Sequence, residues 1–178
     1  MANTTFSGPV RSKNGFINTG PGAVKALTLA TDLTVADHAG RLITMDPAGT
    51  PTAITIPSII STADAAVAGA SDPNNASTIG TTFEILFIDN FPGTIKTANT
   101  ADKFVGAVTL GITASTAGKQ FQVATNNNEV NLNGEAGTAT TGGLKGSIIK
   151  FTAIAANLYA VEGQLLAAGV LATPFDNQ

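Results

Sequence analysis

Short runs of alternating apolar and polar residues dominate this chain of 178 residues, and turn-forming residues separate the runs. Residues 52–57 (TAITIP) alternate most cleanly, and residues 82–89 (TFEILFID) are the clearest strand-like run. Alternation with a period of two is the pattern of a half-buried β-strand, and turn signals recur roughly every 8–12 residues. About eight to ten such runs without helical periodicity favour a sandwich or barrel. The sequence therefore predicts an all-β fold, an antiparallel β-sandwich or barrel-like domain with an extended N-terminal arm.

Two segments interrupt the strand pattern and define the domain organisation. Residues 1–25 scatter apolar residues among Gly–Pro and Asn–Gly breaks, which is typical of an arm that docks on a partner. Residues 58–81 are rich in Ala, Ser, Asp and Asn, and we expect an inserted loop or short helix there. A chain of this length buries one substantial core. We therefore predict a docking arm at 1–25 and one β domain at 26–178.

Two hairpins are predicted in the second half of the chain. An Asn-rich loop at 125–128 separates runs at 119–124 and 129–132, and asparagine tolerates the left-handed backbone of tight turns. The runs at 147–154 and 158–163 flank a three-residue turn. Both arrangements favour antiparallel pairing of consecutive strands.

The run at 82–89 carries apolar side chains on both of its faces, unlike a strand with one solvated face. Only 12% of the residues of the chain are charged, so much of the exterior is suited to being covered by partners. We therefore expect this strand to lie in the middle of a sheet or at a contact between subunits. The predicted interface residues are Phe83, Ile85, Leu86, Phe87 and Ile88.

Charge and composition disfavour several classes of protein. The net charge is −3, and no basic stripe typical of a nucleic-acid interface is present. The chain has no Cys, which removes disulfides and thiolate metal sites. No apolar run is long enough to span a membrane, and residues 1–6 lack the features of a signal peptide. We expect a protein that is not secreted, with no nucleic-acid or membrane partner, no metal and no cofactor.

Candidate catalytic groups are few. His38, the one histidine, follows Asp37 in a predicted polar turn without a nucleophile motif, and we expect it at the surface or an interface. Glu84 and Asp89 lie five residues apart, so a regular strand would direct them to opposite faces. Residues 137–144 begin like a phosphate loop but lack its Lys and Ser or Thr. The sequence therefore predicts a protein that is not an enzyme.

Glycan binding through polar loops is an alternative that the residues leave open. The loop at 126–128 (NNN) offers amide groups, but the chain has one Tyr and no Trp to stack on a sugar ring.

Several stretches, in their order, resemble small virion proteins of tailed bacteriophages, notably marine ones. Residues 1–16 (MANTTFSGPVRSKNGF) are similar to the opening of that group. Residues 39–46 (AGRLITMD), followed by 53–57 (AITIP), resemble its central segment. Residues 142–147 and 158–163, together with the ending ATPF at 172–175, resemble its C-terminal half. The similarity covers most of the chain outside the 58–81 insertion.

The resemblance implies a virion structural protein that decorates the phage capsid as a cement protein and bridges subunits of the major capsid protein. It implies a homotrimer on the outer capsid surface, made in the host cytoplasm, without catalytic residues. A tail-fibre or receptor-binding β module of the particle is the alternative. In this interpretation the arm carries the capsid contact, and the predicted contact residues are Phe6, Val10, Arg11, Lys13 and Phe16.

Overall fold

A computed structural model describes residues 23–47, 52–60, 78–115 and 117–178, which form twelve strands and one single-turn helix. The elements are β1 (Val24–Leu27), β2 (Thr31–Asp32), α1 (Val35–His38), β3 (Leu42–Met45), β4 (Thr52–Ile56), β5 (Thr82–Phe87), β6 (Gly93–Thr97), β7 (Lys103–Ile112), β8 (Gly118–Gln122), β9 (Glu129–Leu132), β10 (Ile148–Ala155), β11 (Leu158–Ala167) and β12 (Phe175–Asp176). No helix in these ranges is long and apolar enough to cross a membrane.

The strands form two sheets. A seven-stranded sheet has the order β1-β3-β5-β10-β11-β7-β8, and a five-stranded sheet has the order β12-β9-β6-β4-β2. One hydrophobic core holds inward-facing residues of both sheets, among them Ile43, Ile85 and Ile149 of the first and Ile54 and Ile95 of the second. This sandwich confirms the predicted all-β class.

Both sheets are mixed: the predicted antiparallel pairing occurs between some neighbouring strands, and other neighbours are parallel. The first seven strands alternate between the two sheets along the chain. Each time the chain comes back to a sheet, the new strand runs in the same direction as the previous strand of that sheet. Consequently β1, β3 and β5 are parallel neighbours, and so are β2, β4 and β6. Antiparallel pairs occur where β10 joins β5 and β11, and at the β7–β8, β6–β9 and β9–β12 pairs.

One predicted hairpin is confirmed and the other is wrong. β10 and β11 form an antiparallel hairpin, and Asn157 takes a φ of 57° in its turn. β8 and β9 do not pair: β8 lies beside β7 in the seven-stranded sheet, and β9 lies between β6 and β12 in the five-stranded sheet. The Asn-rich loop therefore crosses from one sheet to the other, with Asn126 at a φ of 76°.

Two contacts fix the sheets relative to the connecting loops. Fully buried Tyr159 on β11 donates its hydroxyl to the carbonyl of Pro57, just after β4, at 2.7 Å. The rings of Phe87 and Phe91 stack with centroids 4.7 Å apart. Gly134, which follows Asn133 in the loop after β9, takes a φ of 44°, and a Cβ there would lie 2.3 Å from the carbonyl carbon of Phe91. Only glycine fits this backbone approach.

The two predicted interruptions fall largely outside the described residues. Residues 1–22 of the arm are not described, and Val24, inside the predicted arm, already begins β1. Of the insertion at 58–81, residues 61–77 are not described, and with them the expected short helix. The flanks of the insertion are joined by backbone and side-chain bonds between Ile60 and Thr78.

Candidate binding surfaces

The outer side of the seven-stranded sheet, here called the broad face, is its side opposite the core. Strand registers align its side chains in rows across all seven strands. One row contains Ala26, Thr44, Leu86, Ile148, Gln164, Thr109 and Gln120, and the next contains Val24, Leu42, Glu84, Lys150, Glu162, Ala107 and Gln122. Each of these residues is half-buried or exposed. Seven strands spaced about 4.8 Å apart make a face roughly 29 Å wide.

Charge on the broad face is concentrated in its centre. Lys150 Nζ lies 2.7 Å from Glu162 Oε1, and Glu84 is opposite Lys150 on the other neighbouring strand. The hydrogen bond and the charge of Glu162 raise the pKa of Lys150. These three residues surround a shallow depression with Ile148 and Gly163. The two rows otherwise consist of aliphatic, hydroxyl and amide side chains, which cost less to desolvate than free charges.

The predicted interface strand is β5, in the interior of the seven-stranded sheet. Phe83, Ile85 and Phe87 are fully buried in the core of a single chain. These three residues therefore pack in the core and not at the expected subunit contact. Leu86 is half-buried on the broad face, and Ile88, just past the strand, is 41% exposed. Leu86 and Ile88 are therefore the members of the set that a neighbouring molecule can reach.

The predicted capsid-contact residues lie outside the described residues. Phe6, Val10, Arg11, Lys13 and Phe16 all belong to residues 1–22. Their role stays a prediction.

His38 is buried within the chain, so its predicted position at the surface or an interface is wrong. The expected turn is the helix α1, which Thr34 caps by accepting a hydrogen bond from the Asp37 amide at 3.2 Å. The ring is 5% exposed, and its Nδ1 accepts a hydrogen bond from the Thr34 amide at 3.0 Å. The proton of the neutral ring therefore lies on Nε2, which is buried without a hydrogen-bond partner. Burial, followed by the charge of Lys25, lowers the pKa of His38.

A second buried titratable residue, Asp102, was not singled out by the sequence. Its Oδ2 accepts a hydrogen bond from the Ile59 amide at 3.2 Å, while Oδ1 is buried without a partner. Burial raises the pKa of Asp102, and the Ile59 hydrogen bond opposes the rise. Burial and the nearby Asp102 charge both raise the pKa of Tyr159. The local sequence, a polar Asn-Thr-Ala-Asp stretch, gave no sign of this burial.

The remaining candidate chemistry is dispersed. Glu84 lies on the broad face, whereas Asp89 follows β5 and hydrogen-bonds the amide of Asn90 at 2.8 Å. Residues 137–144 belong to the loop between β9 and β10, without a following helix. Within the described ranges, no three His, Cys, Asp or Glu side chains are grouped in a way that could hold a metal ion.

Comparisons with protein-family models, with curated proteins and with solved structures gave no match.

Proposed function

We propose that the chain is a virion structural protein that decorates a tailed-bacteriophage capsid and stabilises it by bridging neighbouring major capsid protein subunits. In this proposal it acts on the outer capsid surface as a homotrimer, without a cofactor and without enzymatic activity. The resemblance of the sequence to phage virion proteins supports the phage context. The composition of the broad face is the structural observation that carries the binding role.

The broad face suits a permanent protein contact on physical grounds. Its two rows carry the Lys150–Glu162 ion pair, Glu84 and otherwise uncharged side chains, so a partner displaces water from few charged groups. Half-buried aliphatic residues such as Leu42, Leu86 and Ile148 gain about 25 cal/mol for each square ångström of apolar surface removed from water. The sheet beneath is held by the sandwich core, so binding requires little ordering of the backbone.

Symmetry makes such a surface effective on a capsid. A shell repeats the same seam many times, and a trimer presents three copies of one binding face. Weak contacts that bind simultaneously are multiplied through the effective concentration of the linked sites. The arm at 1–22 would add a second attachment point, because burial of one Phe side chain contributes roughly 1.5–3 kcal/mol.

The test uses two matched lysine substitutions and particles that lack the protein. Thr44→Lys places a charge at a half-buried position on β3 in the broad face, whereas Thr94→Lys places one at a half-buried position on the outer side of β6 in the other sheet. We expect Thr44→Lys to reduce occupancy on particles strongly and Thr94→Lys to bind like wild type. Deletion of residues 1–20 should also weaken binding while the sandwich still folds. Equal binding by wild type and Thr44→Lys would contradict the role of the broad face.

A further inference from the structure

Residues 174–178 close one edge of the five-stranded sheet as an added strand. Within this segment, β12 pairs antiparallel with β9, with Phe175 opposite Val130 and Asp176 opposite Glu129. The Asn131 amide donates to the carbonyl of Pro174 at 2.7 Å, and the Asn128 amide donates to the carbonyl of Asp176 at 3.1 Å. The edge of β9 is therefore a docking site for an extended segment, which the chain fills with its own residues.

Two side chains give this docking site its selectivity. The ring of Phe175 is 7% exposed and belongs to the sandwich core. Three residues later, the Gln178 side-chain amide donates to the Thr97 carbonyl at 2.8 Å and to its hydroxyl at 3.1 Å. The Gln178 backbone amide donates to Asn128 Oδ1 at 3.0 Å. The site therefore holds an aromatic side chain and, three residues later, a primary amide.

The segment is held at an edge by few elements, and one of its pairings is unfavourable. Asp176 places a second carboxylate directly opposite Glu129 across the β9–β12 pair. The connection from β11 includes Gly169, with a φ of 82°, and Val170, which is 85% exposed. Edge elements with few contacts open more readily than the strands of a core. The docked segment is thus an edge element, and its release leaves the other strand pairings of the five-stranded sheet intact.

We propose that residues 174–178 exchange between copies of the chain, so that the segment of one copy docks on the β9 edge of a neighbouring copy. Every copy carries the same edge and the same segment, and an exchanged pair therefore regains each contact that opening breaks. Exchange links copies without a new interface and supplies a route to an oligomer of the free protein. The inference goes beyond the proposed function and does not require a capsid.

The test uses cysteine pairs, because the natural chain contains no Cys. One population carries Glu129→Cys and the other carries Asp176→Cys, two positions that face each other across β9 and β12. Opposed antiparallel positions have Cα atoms about 5.5 Å apart, a separation that a disulfide bridges. The two populations are mixed, incubated and oxidised, and the linked peptides are identified by mass spectrometry. The matched control pairs Glu129→Cys with Val170→Cys, an exposed position outside the β9–β12 pairing.

We expect the 129–176 disulfide between chains to form several-fold more than the 129–170 disulfide. The double variant Glu129→Cys/Asp176→Cys checks that the pair can react, because its segment can dock within one chain. Oxidation of the double variant before mixing should abolish linkage between chains. If the double variant closes within its own chain and the mixture gives no more 129–176 linkage than the control, the exchange proposal is overturned.

Discussion

Replacement of Tyr159 by Phe isolates the hydrogen bond that ties the seven-stranded sheet to the end of β4. The ring is fully buried, and its hydroxyl lies 2.7 Å from the carbonyl oxygen of Pro57. Phenylalanine preserves the packing and removes this one bond. A hydrogen bond of this kind contributes a net 0.5–1.5 kcal/mol or so, and a carbonyl left unpaired in a partly buried site adds to the loss. We expect the free energy of unfolding to fall by about 1–2 kcal/mol.

The measurement is reversible denaturant unfolding of wild type and variant, with the slope against denaturant compared between them. A loss of this size corresponds to a decrease of roughly 2–8 °C in Tm for a domain of this length. The control is Thr109→Val, which removes an exposed hydroxyl from β7 and should change stability by about 0.5 kcal/mol or less. Unfolding of Tyr159→Phe at wild-type denaturant concentration would refute the role of the Tyr159–Pro57 bond.

Three further substitutions test separate features of the fold. Gly134→Ala should lower the free energy of unfolding by at least about 2 kcal/mol more than Gly137→Ala, as measured by denaturant unfolding. Both glycines have positive φ, but of the two only Gly134 would bring a Cβ against the Phe91 backbone. Equal losses of stability in the two variants would contradict the close approach. Glu129→Gln should raise the free energy of unfolding at pH 7 by about 0.5 kcal/mol, since it removes a like charge opposite Asp176. Burial, then the Asp176 charge, raises the pKa of Glu129, with Lys96 opposing. The stability advantage of the variant over wild type should therefore grow as pH rises above 4.5, and a difference independent of pH would contradict the repulsion. Because the pKa of His38 is lowered in the folded chain, stability should fall as pH drops below 6.5, and His38→Asn should flatten that dependence; an unchanged slope would refute the burial of His38.

The strands were predictable from the sequence because alternation reports which side chains face a core. The run at 82–89 became β5, and the run at 52–57 became β4. Alternation does not report which strand lies next to which. The sequence could not show that consecutive strands cross between sheets, and the loop at 125–128 has the same turn chemistry in a crossing as in a hairpin. Parallel pairing and the β8–β9 separation were therefore missed.

The binding surfaces were less predictable than the strands. An apolar strand has the same sequence pattern whether it faces a core or a subunit contact. The five-stranded sheet packs against the inner side of β5, and this packing puts Phe83, Ile85 and Phe87 in the core. His38 and Asp102 sit in polar stretches that favour exposure, yet packing at the end of the sandwich buries both. The broad face consists of residues from seven strands spread along the chain, so no local motif marks it.

The number of copies per particle tests the proposed function most directly. Quantitative mass spectrometry of purified virions, with the major capsid protein as internal standard, measures this ratio. Capsid decoration predicts copies on the order of hundreds, in a fixed ratio to the major capsid protein set by the symmetry of the shell. A few to a few dozen copies would contradict decoration and favour a tail-fibre or receptor-binding module, and absence from the particle would contradict both.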